Sequence, residues 1–214
     1  MPDHPKLLAP EAVGITASIP YIDALTSTDK SNVYGYAHHL YGGGNKASFA
    51  ASYGYKPLLQ TEYSEGASTF ADAMSLATLM HECLTVEDVA AYLYWPLFWE
   101  QPNGLVSFPS YGSSNYTINP VYYAFKQHSA FTDPNWQRVD ASTNSSNLKI
   151  SAYISPDNNQ MSAVIINTSS STDIALNLTF YNVTVIDGDV YRTSQTENCV
   201  LVDPFEKSEP LTLP

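Results

Sequence analysis

Short apolar runs alternate with helically spaced apolar positions through the first 135 residues of the chain. Leu7-Leu8-Ala9 predicts a brief strand ending at Pro10-Glu11. Val33 to His39 predicts a second, broken by Gly42-Gly43-Gly44, and Leu58 to Thr61 and Ala90 to Trp95 a third and a fourth. Between them the pattern predicts a short helix from Tyr21 to Leu25 after Pro20, and an Ala-rich helix from Lys46 to Tyr53 that stops at Gly54. A longer helix starts at Phe70, with Ala73, Met74, Ala77, Met80 and Leu84 on one face of a 3.6-residue period. Thr69-Phe-Ala-Asp72 in front of it is a variant capping box. A Pro/Gly/Ser loop runs through Ser110, and a last helix, Val121 to Ser129, follows Pro120, the residue helices accept at their first position. Four strand–helix units in a row imply parallel strands with right-handed crossovers.

From about Asn135 the period changes to two. Leu148, Ile150, Ala152 and Ile154 fall on one face of a strand, and Pro156-Asp-Asn-Asn159 is a turn. Met161 to Asn167, Ile174 to Phe180, Val183 to Ile186, Val190 to Arg192 and Cys199 to Val202 are further strand candidates, with Asp187-Gly188 as a hairpin turn signal. Short strands at this spacing predict an antiparallel β-sandwich. The expected fold class is therefore α/β followed by β, with residues 1–135 forming the first domain and 136–214 the second.

Composition narrows the function. The 214 residues are 44% hydrophobic, enough for a packed core, and only 14% charged, below the usual quarter or so. Sixteen tyrosines fit both a strand-rich fold and an aromatic carbohydrate cleft. A net charge of −12 argues against nucleic-acid binding by phosphate neutralisation. No run of about 20 apolar residues is present to span a membrane, and Met1-Pro-Asp-His-Pro5 lacks the apolar stretch of a signal peptide. An acidic, Lys-poor surface rich in Ser, Thr and Asn fits a secreted protein. Cys83 and Cys199 read as free, buried, apolar-like residues. Five Asn-x-Ser/Thr triplets begin at Asn115, Asn144, Asn167, Asn177 and Asn182, which matter only in a eukaryotic secretory pathway. No metal or cofactor is expected. His81-Glu82 has no second His at helical spacing, and Gly42-Gly43-Gly44 lacks the Lys-Ser/Thr of a phosphate cradle.

The candidate chemistry sits where strands end. Lys56-Pro-Leu-Leu-Gln-Thr-Glu62 turns from apolar to polar as its strand emerges, delivering a carboxylate. Its neighbours end in Pro10-Glu11, in His38-His39-Leu40-Tyr41 and in Tyr94-Trp95. Carboxylate, imidazole, phenol and indole at adjacent strand ends are what a (β/α) barrel presents at its active face, and they suit cleavage of a sugar. Alternation along the strand turns His38 to the face opposite His39. Glu11 is a rival carboxylate, with a binding role, an acid/base role or none, and Glu65 reads as solvated.

Several ordered motifs resemble glycoside hydrolase family 30, most closely its xylanase-type branch. These are Tyr36-Ala-His-His-Leu-Tyr-Gly42, Lys56-Pro-Leu-Leu-Gln-Thr-Glu-Tyr-Ser64, Ala91-Tyr-Leu-Tyr-Trp-Pro96 and Asn119-Pro-Val-Tyr-Tyr-Ala-Phe-Lys-Gln127. Arg138-Val-Asp-Ala141 resembles the entry to that family's β-sandwich side domain. The resemblance implies that the four units are strands five to eight of a (β/α)8 TIM barrel, so that the chain is the C-terminal portion of such an enzyme, lacking the first barrel half. It implies a retaining glycosidase with Glu62 as nucleophile. The acid/base carboxylate of strand four, usually in an Asn-Glu pair, falls upstream of Met1. Leu211-Thr-Leu-Pro214 resembles the lead-in to a last sandwich strand.

On the same resemblance, Tyr41 hydrogen-bonds the nucleophile or is a core aromatic. His39 orients a neighbour or a sugar hydroxyl, or is structural. Trp95 floors the subsite at the cleavage point, and Tyr63 and Trp99 line outer ones. Glucuronate-reading members carry an arginine after the strand-eight Trp, whereas Pro96-Leu-Phe-Trp-Glu-Gln-Pro102 has none. The expected substrate is thus a linear or generally substituted β-1,4-xylan. Other family 30 glycosidases, acting on a β-1,6-glycan or a β-glucoside, and an inactive carbohydrate-binding truncation are the alternatives. As half an enzyme the chain is expected to be inactive alone and its parent to be extracellular; the pattern leaves oligomeric state open.

Overall fold

A computed structural model describes residues 4–100, 102–205 and 209–214. Met1 to Asp3, part of the stretch read above for a leader, and Gln101 lie outside them. The described residues form two compact units, one of 4–66 with 79–117 and one of 67–78 with 118–214.

The first unit is built on four parallel strands in the order β1 (Leu8–Ala12), β2 (Gly35–His39), β3 (Leu58–Glu62) and β4 (Ala91–Tyr92). All four were legible in the sequence, as was the parallel pairing. β4 is shorter than its apolar run, but the chain beyond it still follows β3: Leu93 N–H donates to Gln60 O and Trp95 N–H to Tyr63 O.

The helices differ from the pattern at two points. α1 (Ile15–Ala24) starts six residues before the predicted Tyr21 and runs through Pro20. An interior proline loses its N–H and crowds the carbonyl four residues before it, but here Ile15, Ser18 and Ile22 are buried on both sides of it and hold the helix. α2 (Ser27–Asn32) was not predicted, although Thr26 and Asp29 cap it reciprocally. α3 (Lys46–Tyr53) has the predicted bounds, with Asn45 accepting from Ser48 N–H at its start. α4 (Phe70–Glu82) begins with the predicted Thr69–Asp72 box and widens into a π turn, Cys83–Glu87.

The core of this unit lies between the sheet and its helices: Ile15, Ile22, Val33, Tyr36, Phe49, Leu58, Cys83 and Val89. The Gly-rich loop after β2 is fixed by close backbone approach. Gly42 N–H donates to Val13 O and Thr16 N–H to Gly43 O. A Cβ on Gly14 would stand 2.6 Å from Gly42 Cα, and one on Gly44 2.4 Å from Ile15 Cβ. These glycines let the loop that carries Tyr41 rest on the start of α1. Beyond β4, β5 (Phe98–Trp99) pairs in parallel with β6 (Val106–Ser107), followed by β7 (Thr117–Ile118).

In the second unit, α5 (Pro120–Ser129) has Pro at its first turn, as predicted. Its Ala124 packs with Ala73 and Ala77 of α4 and with Val164 and Ile166. The remaining pairings are antiparallel. β9 (Leu148–Ile154) lies between β8 (Gln137–Val139) and β10 (Met161–Asn167). Ser151 and Tyr153 are buried although they lie opposite the face picked out by the alternation. β11 (Ile174–Leu176) pairs with β14 (Leu211–Leu213), so the segment read as a lead-in is itself a strand. The run Val183 to Ile186 forms no strand, and Asp187-Gly188 is not a hairpin turn. β12 (Asp189–Arg192) instead pairs with β13 (Val200–Pro204), and Arg192 is clamped by both carboxylate oxygens of Glu197 in the turn between them.

Candidate active site

The site is built at the carboxyl ends of β2, β3 and β4. In a parallel sheet neighbouring residues point the same way, so the pairing decides who meets whom. Tyr36, Ala37 and His38 stand beside Leu58, Leu59 and Gln60 in order. The register then slips past Thr61, and His39 stands beside Glu62. Glu62 Oε1 lies 3.7 Å from His39 Nδ1, and both side chains are partly exposed, at 30% and 18%. That separation is too long for a hydrogen bond.

Aromatic rings continue the cluster. Tyr41 packs edge-on to His39 at 6.0 Å between centroids and tilted against Tyr63 at 5.2 Å. The Tyr63 backbone carbonyl takes the Trp95 N–H at 3.1 Å, and the Trp95 ring lies 6.4 Å from that of Trp99. Contacts of this kind link all six residues singled out from the sequence: Glu62, His39, Tyr41, Tyr63, Trp95 and Trp99. Tyr41 meets its neighbours through its ring. Tyr63 donates from its hydroxyl to Glu65 Oε2 at 3.2 Å. Burial, and then the Glu65 carboxylate, hold that phenol above its usual pKa. Glu11 is exposed at the end of β1, at a slip in the β1–β2 register, with φ of 58°. Tyr41, Trp95 and Trp99 are all well exposed, which leaves ring faces open beside a carboxylate whose lone pairs are accessible. Such a set can present a nucleophile or a hydrogen-bond acceptor to a polyol while apolar ring faces stack on it.

Two supporting residues, Gln60 and Glu87, escaped the sequence reading. Gln60 is fully buried, and its Oε1 accepts the Leu93 N–H at 3.2 Å, pinning the chain that leads to Trp95. His38 lies on the face opposite His39, as alternation requires, edge-on to Phe49 and bonded to the buried Glu87. A Gln or His inside an otherwise apolar strand is the available signal for Gln60 and His38. Glu87, 49 residues from His38, gives none. No group of His, Cys, Asp and Glu among the described residues has metal-binding geometry.

Solved structures supply the comparison. No protein-family model and no curated protein matches the sequence. A family 30 endoxylanase from Clostridium papyrosolvens C71 superposes with a TM-score of 0.81 at 24% identity, over 97% of this chain and 53% of that one. A family 30 subfamily 8 xylanase from Clostridium acetobutylicum gives 0.79 at 25% identity, over 98% and 53%. The fold is that of glycoside hydrolase family 30. The likeness to its xylanase-type branch, stated above from motifs, thus holds in three dimensions, and the chain spans about half the length of these family 30 structures. A conserved exported protein from Bacteroides fragilis also matches, with a TM-score of 0.70 at 18% identity, over 88% and 46%. Among the described residues no helix is long and apolar enough to cross a membrane.

Proposed function

We propose that this chain is the C-terminal part of a secreted retaining glycoside hydrolase that cleaves β-1,4-xylan, with Glu62 as its nucleophile. The observation that carries the reading is the placement of Glu62 at a strand's carboxyl end, 3.7 Å from His39, whose ring packs on Tyr41 and, through it, on Tyr63. On this reading β1 to β4 are barrel strands five to eight, residues 1–135 belong to the barrel and 136–214 to the side domain. The acid/base carboxyl is supplied by a segment outside these 214 residues, about 5–5.5 Å from Glu62 when assembled. Glu62 attacks the anomeric carbon as that acid protonates the departing glycosidic oxygen. Water, activated by the same group, then releases the sugar from its ester with Glu62. His39 orients Glu62 or a sugar hydroxyl, Trp95 floors the cleavage subsite, and Tyr41, Tyr63 and Trp99 flank it.

The substrate carries no obligatory glucuronate. An arginine fork is the natural partner of a carboxylate, and Arg138 and Arg192, the two arginines of the chain, both lie in the side domain on this reading. The test is trapping with a 2-fluoro-xylobioside in two samples, the 214-residue chain and the product of its complete open reading frame. Digestion and mass spectrometry then locate the adduct. Xylan hydrolysis and a Glu62 ester in the longer product, with neither in the chain alone, are expected. An ester on another residue, or inverted anomeric configuration in the product, overturns the assignment.

A further inference from the structure

His38 and Glu87 are both wholly buried, and His38 Nε2 is bonded to Glu87 Oε1. The other ring nitrogen, Nδ1, lies 2.7 Å from the backbone carbonyl oxygen of His39. A carbonyl only accepts, so Nδ1 carries a hydrogen and donates it. Nε2 faces a carboxyl oxygen, so one proton lies between these two atoms. Whichever atom holds it, the pair is neutral as a whole, which is what burial without solvent requires. Both nitrogens are thus committed, and the ring cannot turn without breaking two bonds. Phe49 packs edge-on to it, 5.4 Å away between centroids, and Glu87 is fixed at the end of the π turn Cys83–Glu87.

The carbonyl that His38 grips sits at the register slip. Up to His38 the β2–β3 ladder is regular; after it, the chain skips Thr61 so that His39 stands beside Glu62. Thr61 Oγ1 reaches the preceding carbonyl, that of His38, at 3.4 Å. Side chains thus hold the two carbonyls that flank the slip. In an unbroken ladder His39 would stand beside Thr61, and its imidazole would not be opposed to the carboxylate.

We propose that Glu87 is a positioning residue, which through His38 sets the strand register that brings His39 against Glu62. The proposal rests on the reading of Glu62 and His39 as site residues, but its test needs no turnover. In the 214-residue chain, the His39 ring resonances are recorded by long-range ¹H–¹⁵N NMR with and without Glu62→Gln. The pair of spectra is measured in wild type, Glu87→Gln and Glu87→Leu. Gln keeps a partner for Nε2, its amide N–H donating to the imidazole; Leu does not. The expected result is that Glu62→Gln displaces the His39 resonances in wild type and Glu87→Gln, and that the displacement is lost in Glu87→Leu. Retained displacement in a folded Glu87→Leu protein, or no displacement in wild type, overturns the proposal. If Glu87→Leu does not fold, the wild-type His38 tautomer decides: a protonated Nδ1 is expected, and a bare Nδ1 overturns it. Coupling between His39 and Glu62 without a Glu62 glycosyl ester defeats only the hydrolase reading. An ester without Glu87-dependent coupling defeats only the positioning role.

Discussion

Glu62 and His39 oppose each other across β2 and β3, Oε1 to Nδ1, because the ladder between those strands slips by one residue at its carboxyl end. Without the slip the imidazole would face a threonine. At 3.7 Å a water can bridge the two groups, and the imidazole can turn toward either the carboxylate or a ligand.

Glu62→Gln is expected to lower xylan hydrolysis by the complete protein by on the order of 10⁴-fold, as loss of a group acting in covalent catalysis does. The amide keeps the shape but attacks poorly. Thermal melting is expected to stay close to wild type, since Glu62 is partly exposed and outside the core. Steady-state rates beside a melting curve check both; near-normal kcat would remove Glu62 from the mechanism.

Gly14→Ala and Gly43→Ala separate steric crowding from backbone conformation. Gly14 has an extended φ that any residue adopts, but its Cβ would press into Gly42 at 2.6 Å. The expected cost is roughly 1–3 kcal/mol, since backbone must move. Gly43 has a φ of 64° and open space around it, so alanine there is expected to cost only about 1 kcal/mol. Urea titrations of the two variants test the order, and a larger loss at Gly43 would contradict the packing described here.

Asn167 ties the last strand to β10. Its buried Nδ2 lies within hydrogen-bonding distance of the carbonyls of Thr172, Leu213 and Pro214, at 3.0, 3.2 and 3.3 Å. Of the five glycosylation triplets it is therefore the one whose amide is committed inside the fold, while Asn115, Asn144, Asn177 and Asn182 are exposed. Asn167→Ala leaves those carbonyls short of a donor, at an expected cost of about 1–3 kcal/mol. Hydrogen exchange at the amides of β11 and β14 should accelerate well beyond that of β9; unchanged protection there would refute the tie.

Alkaline pH should destabilise the first unit. Burial, followed by the Glu87 charge, pushes the Cys83 thiol from 9.0 up to about 12. Burial and then the hydrogen bond to Asp23 push the Tyr53 phenol from 10.0 up to about 12. Both raised values mean that the unfolded chain ionises first. The stability these groups contribute is whole below pH 9, and it is lost progressively as pH rises from 9 toward 12. Chemical denaturation at pH 8 and pH 11 should show the fall. Cys83 should also resist disulfide-exchange reagents at pH 8 until the protein unfolds, because its thiolate is scarce and covered. Rapid labelling of Cys83 in the native protein would contradict its burial.

Local pattern was sufficient for elements whose neighbours simply agree with it. Lys46–Tyr53, Leu148–Ile154 and Met161–Asn167 have the bounds read from the sequence, because caps, Gly54 and strict alternation act within a few residues. The four parallel strands and the residue types at their ends were legible for the same reason. Tertiary structure decided what depends on distant partners. Buried residues on both sides of Pro20 carry α1 through it, packing buries residues on both faces of β9, and β13 rather than Val183–Ile186 is the partner of β12. The register slip that opposes His39 to Glu62, the Gly14–Gly42 approach and the His38–Glu87 bond join residues 23, 28 and 49 positions apart. Hydrophobic periodicity fixes which way a side chain points along its own strand or helix. Only the packed chain fixes which neighbour it then meets.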